Sequence, residues 1–273
     1  MVNLDINTNL AKTIISGFIK NEITKTGFTK GLIGLSGGID SSLSCFLSVE
    51  ALGPENVIAI RMPYETSSKT SWDHAGLVIE ELKIKHLDIP ITEMVNPLIN
   101  RFSDMSNVRK GNIMARARMI ILYDQSKAND ALVVGTGNKT EILLGYSTLY
   151  GDSACALNPI GDLYKTQVRQ LARDLGVPQV IIDKAPSADL WKGQTDEGEL
   201  GFTYAEVDQL LYLLVDQRYS FEDLLDQGFE KDFIYQVSER IRRYQFKRMQ
   251  PPIAKLSNRT VGYDFLYMRD WGI

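Results

Sequence analysis

The chain has little of what would staple it, anchor it or make it basic. Its two cysteines, Cys45 and Cys155, lie far apart and neither belongs to a C-x-x-C pair, which excludes a zinc ribbon or a dithiol redox motif. Its two histidines, His74 and His86, fall in different expected elements and are read as ordinary residues. No run approaches the roughly 18 apolar residues of a membrane-spanning helix. The start, Met1-Val2-Asn3-Leu4-Asp5, lacks the basic region and apolar core of a secretory leader. A cytoplasmic protein with no membrane partner is therefore expected, in which the sequons at Asn138 and Asn258 carry no meaning. Lysine and arginine number 30 against 34 acidic residues, so the basic footprint of a general nucleic-acid binder is missing. Two common nucleotide loops, G-x-x-x-x-G-K-[ST] and G-x-G-x-x-G, do not occur.

What the chain does have is an ordinary globular composition, 44% hydrophobic and 23% charged, over 273 residues. That length suits one large domain, 1–273, whose core needs no covalent help. Short apolar runs at 31–35, 57–62, 89–92 and 131–135 alternate with stretches of helical period. Leu43, Phe46 and Leu47 begin one such stripe, which Gly53 and Pro54 stop. Ala75, Val78, Ile79 and Leu82 form another, and Val168, Leu171, Ala172 and Leu175 a third, closed by Gly176 and Pro178. Strand and helix in alternation predict right-handed crossovers and a doubly wound parallel β-sheet flanked by helices, an α/β fold. The character changes near residue 181. A polar, glycine-bearing stretch at 186–204 predicts a functional loop able to close over a site, and three helical segments follow, the last at 232–249. The expected division is a nucleotide-binding α/β core at 1–180 and a loop plus helical C-terminal part at 181–273.

One stretch stands out. "GLSGGIDSS" at 34–42 leaves the first expected strand and opens the first crossover helix, which is where open parallel sheets bind ligands. Gly37 and Gly38 let backbone approach an oxyanion, Ser36, Ser41 and Ser42 add donors, and the helix presents free N–H groups with the positive end of its dipole. Asp40 beside them has the chemistry of a magnesium ligand, since that cation prefers carboxylate and phosphate oxygens. The plain alternative is a strand-to-helix turn with Asp40 or Ser41 as N-cap. Three further segments carry polar groups at element ends. "KGNIMARARM" at 110–119 places Asn112 and Arg116 four apart on a helix; Arg118 points away and is read as structural. "GTGNKTEILLGYSTLYGD" at 135–152 places Thr136 and Glu141 at a second strand exit. "NPIGDLYKTQVRQLA" at 158–172 brings Lys165 to a helix start.

The first loop resembles the S-G-G-x-D-S pyrophosphate loop of the N-type ATP pyrophosphatases, enzymes that cut ATP between its α and β phosphates and adenylate a substrate. With "PSADLWKGQTDE" at 186–197, the ordered set resembles the NAD synthetase family from about Ser36 to Pro252. With no added glutaminase domain and no cysteine near the N-terminus to attack an amide, it is similar to the ammonia-dependent form. That resemblance implies an adenine nucleotide α-hydrolase-like fold and a homodimer. It implies an ATP- and Mg²⁺-dependent amidation of deamido-NAD by ammonia, through an adenylate, with release of AMP and pyrophosphate. By the same resemblance Asp40 and Glu141 hold magnesium. ATP meets Gly34, Leu35, Ser36, Gly37, Gly38, Ile39, Asp40, Ser41, Arg61, Thr136, Lys165 and Ser187, with Asp40 and Lys165 catalytic. Arg116 faces deamido-NAD. Many bacterial members carry lysine where Leu149 stands and a His-Lys pair where Phe246-Lys247 stands, so these positions lean toward the archaeal-like branch. The alternatives are an ATP pyrophosphatase that adenylates a different carboxylate or a nucleobase, and a nucleotide-binding module without turnover.

Overall fold

The computed structural model describes residues 2–191 and 193–264. Met1, Lys192 of the 186–204 stretch and residues 265–273 of the expected domain lie outside the described residues. After α1 (Thr8–Thr24) come β1 (Lys30–Gly34), α2 (Ile39–Leu52), β2 (Val57–Arg61), α3 (Lys69–Leu82), β3 (Lys85–Asp88), α4 (Thr92–Ile99), α5 (Asn107–Asn129) and β4 (Ala131–Val133). The four strands pair in parallel in the order β3-β2-β1-β4. Successive side chains of a strand face opposite sides. Ile33, Val57 and Ala59 accordingly enter one core with Ile19, Leu43, Val78 and Val168. Leu32, Ile58 and Ile60 enter a second core with Val95, Met114 and Ile121. Both faces are covered by helices, the doubly wound arrangement that the alternation predicts. Cys45 is fully buried in the first core, where it serves as a small hydrophobe.

The chain then runs through α6 (Lys139–Leu144), α7 (Lys165–Asp174), α8 (Gln179–Ile182), α9 (Asp196–Leu200), α10 (Tyr204–Leu211), α11 (Phe221–Asp226) and α12 (Lys231–Arg243). A third core forms here, with Leu144 and Tyr164 packed against Leu200, Val207, Leu211, Leu224 and Val237. The C-terminal helices thus sit on the helices that carry Glu141 and Lys165.

Three sequence expectations are corrected. The third strand is Lys85–Asp88, not the apolar run at 89–92. It is an edge strand whose Lys85, His86 and Asp88 stay exposed, so it needs no apolar run; Ile91 is buried beyond it and Thr92 starts α4. The 186–204 loop contains α9, capped by the Thr195 side chain. The last long helix stops at Arg243, after which the chain turns so that the Arg248 guanidinium donates to the Leu143 carbonyl at 2.8 Å and the Ile241 carbonyl at 2.8 Å.

Candidate active site

Strand order reverses between β1 and β4, because the first crossovers build outward from β1 to β3 and the fourth strand returns to the other side of β1. A crevice opens at the carboxyl ends of two such strands. Here it is a cavity of about 1040 Å³. Gly34, Leu35, Ser36, Gly38, Ile39, Asp40 and Ser41 line it after β1, and Thr136 and Glu141 after β4. Arg61, Lys165 and Ser187 line it as well.

The loop after β1 is held by its own hydroxyls. Ser41 Oγ donates to the Gly38 carbonyl at 3.0 Å, Ser42 Oγ to the same carbonyl at 2.8 Å, and Gly38 N–H to Ser36 Oγ at 3.2 Å. The N-cap of α2 is Gly38, and no side chain caps the helix. Neither Asp40 nor Ser41 takes the plain role. The first N–H groups of α2 have no side-chain cap, and Ile39, Asp40 and Ser41, which carry them, line the cavity, a position suited to an anion. Only one glycine is conformationally required: Gly37 has φ +76°. Gly38 has φ −89°. The side chains of Leu35 and Ile39 belong to the first core, so these two residues present backbone to the site.

The chemistry gathers around one ammonium. Lys165, the first residue of α7, is 2% exposed. Its Nζ lies 2.5 Å from Asp40 Oδ2 and 3.0 Å from Glu141 Oε1. Asn138 caps α6 by accepting from Glu141 N–H at 3.0 Å, while its amide donates to Asp40 Oδ1 at 2.9 Å. Tyr204 covers Lys165 with its ring centroid 5.0 Å from Nζ, and its hydroxyl donates to Asp196 Oδ2 at 3.1 Å. Burial by itself would lower the lysine pKa; Asp40 and Glu141 outweigh it and hold the ammonium protonated well above its ordinary range. Glu141 is pushed from 4.5 up to about 7, first by burial, with Lys165 opposing and the Asp40 charge adding to the rise. One ammonium shared by two carboxylates leaves negative charge in excess, and Asp196, raised by burial, lies close enough to add to it.

This has a consequence for stability. A carboxyl whose folded pKa lies above its unfolded one contributes stability that is complete below the lower value and is lost as pH rises through the higher. For Glu141 that window runs from 4.5 to about 7. The Tm of the ligand-free protein is expected to fall across that range on this account. Glu141→Gln should flatten that part of the curve in thermal melts; parallel curves for variant and parent would exclude it.

Other residues take less expected places. Arg61 forms a two-pronged pair with Asp88, both N–O distances 2.7 Å, and its guanidinium carbon lies 3.6 Å from the Trp72 ring centroid. Ser187 Oγ donates to the Gln194 carbonyl at 2.7 Å, while Asp189 accepts from Ser68 N–H at 3.0 Å and Ser71 Oγ at 2.8 Å, docking the loop on the start of α3. On α5 the cavity face is Val108, Asn112, Ala115, Arg118, Met119 and Leu122. Arg118, set aside from the sequence as structural, therefore lines the site, with its Nε donating to the Met62 carbonyl at 3.0 Å. Arg116, 200° round the helix from it, is exposed, and its Nε donates to the Leu149 carbonyl at 3.2 Å. Lys247 lines the cavity and donates to the Gly145 carbonyl at 2.6 Å; Phe246 is exposed. Asn138, Asp196 and Tyr204 were missed from sequence. Asn138 gave a signal, as the N-cap of the N-x-x-E capping box at a strand exit, and Asp196 lies within the quoted 186–197 segment.

The model of the NAD synthase family matches residues 12–251. An NH(3)-dependent NAD(+) synthetase of Trichlorobacter lovleyi is 55% identical over 272 residues, covering 100% of both chains. Two solved structures share 32% identity and cover 92% of this chain: an NMN synthetase from Francisella tularensis (TM-score 0.80, 99% of that chain) and an NH3-dependent NAD synthetase from Campylobacter jejuni in complex with nitrate (TM-score 0.79, 100% of that chain).

Proposed function

The chain belongs to the NAD synthase family, and on that premise we propose that it is an ammonia-dependent NAD synthetase, a ligase that forms a C–N bond. The nicotinic acid carboxylate of deamido-NAD attacks the α-phosphorus of ATP; the bond to the β-phosphate breaks and pyrophosphate leaves. Ammonia then attacks the acyl carbon of the mixed anhydride, the C–O bond to the phosphate breaks, AMP departs with the bonding electrons, and one proton of the attacking nitrogen is lost to solvent. The observation that carries this reading is a single buried ammonium between two carboxylates, set against a helix N-terminus that no side chain caps.

The residues of the chain do the work of alignment and charge balance. The 34–41 backbone and the α2 dipole receive the triphosphate. Lys165 neutralises phosphate charge as the carboxylate approaches, which two anions in a low-dielectric pocket require. Thr136 and Ser187 offer hydroxyls to the nucleotide. Arg61, stiffened by Asp88 and Trp72, serves the adenosine side. The 187–204 loop, by closing, keeps water from the adenylate.

Asp40 and Glu141 fit a magnesium ion. Their negative charge exceeds the one ammonium they share, and among the described residues no group of three His, Cys, Asp or Glu could hold a metal alone. A cation here would take its remaining ligands from phosphate oxygens, the habit of magnesium. Bound there, it would supply charge neutralisation on those oxygens.

The cavity, at about 1040 Å³, is as large as a whole ligand pocket of the roomiest kind and admits a second substrate beside the nucleotide. Arg116 is assigned to deamido-NAD from the α5 edge. Arg116→Ala should raise KM for the dinucleotide far more than KM for ATP in steady-state kinetics, and equal rises would remove that role. The protein is further proposed to work in the cytoplasm as a homodimer, in which a second copy covers the exposed Ile120 and Tyr123 of α5.

The test is NAD formation from deamido-NAD, ATP, Mg²⁺ and ammonium, with AMP counted. One AMP per NAD is expected, and AMP release indifferent to deamido-NAD would sink the reading. The Francisella neighbour, an NMN synthetase, favours one second reading, amidation of the corresponding mononucleotide. A higher kcat/KM for that acid than for deamido-NAD would select it.

A further inference from the structure

We propose that Asp208, on α10, is a positioning residue that fixes Lys165 against Glu141 through Thr140 and the start of α7; the proposal rests on the amidation reading above.

Asp208 is fully buried, yet it lies outside the cavity and touches none of the groups assigned to substrates. A buried carboxylate costs free energy unless donors surround it. Here Thr140 Oγ1 donates to Asp208 Oδ1 at 2.5 Å, and the Thr166 N–H donates to Asp208 Oδ2 at 2.8 Å. Thr140 Oγ1 in turn accepts from the Lys165 N–H at 3.0 Å. The two oxygens of one carboxylate thus grip the first turns of two helices. Thr140 precedes Glu141 on α6, and Thr166 follows Lys165 on α7.

The sequence explains why an outside acid is needed. The first turn of α7 contains no acidic residue, and no side-chain bond from its N-cap satisfies its free N–H groups. Those groups and the positive helix end favour a negative partner. Asp208 and Thr140 supply it from elsewhere in the chain. Burial pushes the Asp208 carboxyl up, and the Thr140 and Thr166 bonds and the Lys165 charge pull it back. The clamp also joins the third core to the site, because the neighbours of Asp208, Val207, Leu210 and Leu211, are packed within that core.

A displacement of about 1 Å in a reacting group costs on the order of 100-fold in rate. Thr140→Val, which keeps the shape and removes the hydroxyl, is expected to lower kcat per folded molecule by about 10- to 100-fold and to weaken ATP binding in calorimetry. Thr140→Ser, which keeps both bonds, should stay near wild type in both. Asp208→Asn should resemble Thr140→Val, and the double variant should be little worse than either single one, as for residues acting in one chain of contacts. Folded fractions are taken from circular dichroism, so that a merely structural role would lower the folded fraction and leave kcat and ATP affinity per folded molecule unchanged. That result, or a Thr140→Ser as impaired as Thr140→Val, would overturn the proposal. A wild-type protein that makes no NAD would sink the amidation reading instead, and ATP affinity across the same variants would still decide the role of Asp208.

Discussion

Asp40→Asn is expected to fold as the parent does and to lose on the order of 100- to 1000-fold in kcat, about 3–4 kcal/mol of barrier, the usual cost of removing one preorganised electrostatic group. The fold should survive because the carboxylate of Asp40 belongs to the site and not to the core. Its one tie to the α6 cap, the bond from Asn138 Nδ2 at 2.9 Å, can be accepted equally well by an amide oxygen. The chemistry should not survive. The amide would carry no charge for a cation, and Lys165 would keep one carboxylate partner, Glu141. The ammonium would then be free to move toward that partner and away from the phosphates. The measurement is AMP release at saturating ATP, deamido-NAD and ammonium, with thermal melts to verify folding. Turnover like that of the parent would dismiss Asp40 as a metal ligand and Lys165–Asp40 as the centre of the site.

Gly37→Ala is the second large effect, and it acts on the loop itself. The residue has φ +76°, a region that costs an L side chain roughly 1–2 kcal/mol. An added Cβ would also lie 2.1 Å from the Ser71 carbonyl oxygen and 3.0 Å from the Ala75 nitrogen, both backbone atoms of α3. Backbone cannot swing aside as a flexible side chain does, so the loop must leave α3. Loss of more than about 2 kcal/mol of stability is expected, together with a large rise in KM for ATP. Gly38→Ala provides the contrast. Its φ is −89°, and its new Cβ would meet only Ser36 Oγ at 3.3 Å. Its melting temperature should stay near that of the parent. If the two alanines proved equally mild, the close packing of this loop on α3 would not be what holds it in shape.

Much of the fold was legible because it is local. The stripes Leu43–Phe46–Leu47, Ala75–Val78–Ile79–Leu82 and Val168–Leu171–Ala172–Leu175 mark helices by spacing alone, and Gly53-Pro54 and Gly176 mark the ends of the first and third. The loop at 34–42 was legible for the same reason: glycines, hydroxyls and an acid must sit together between a strand and a helix to do what they do. Glu141 and Lys165 were legible as members of motifs at element starts. β3 was not, since an edge strand with Lys85, His86 and Asp88 facing water carries no apolar signal. Arg118 lines the cavity although its spacing read as structural, because helical spacing tells which residues share a face but not which face meets the cavity.

The sequence by itself determined the alternation of strands and helices, the anion loop and the class of residue that serves it, because each depends on neighbours within a turn or two. Tertiary structure alone decided that Lys165 meets Asp40, 125 positions away, that Asp196 and Tyr204 close over that pair, and that Asp208 reaches Thr140 across 68 positions. Burial made these contacts matter. Buried charge must find a partner or give up its proton, and only the packing of the third core against α6 and α7 determines which partner is there.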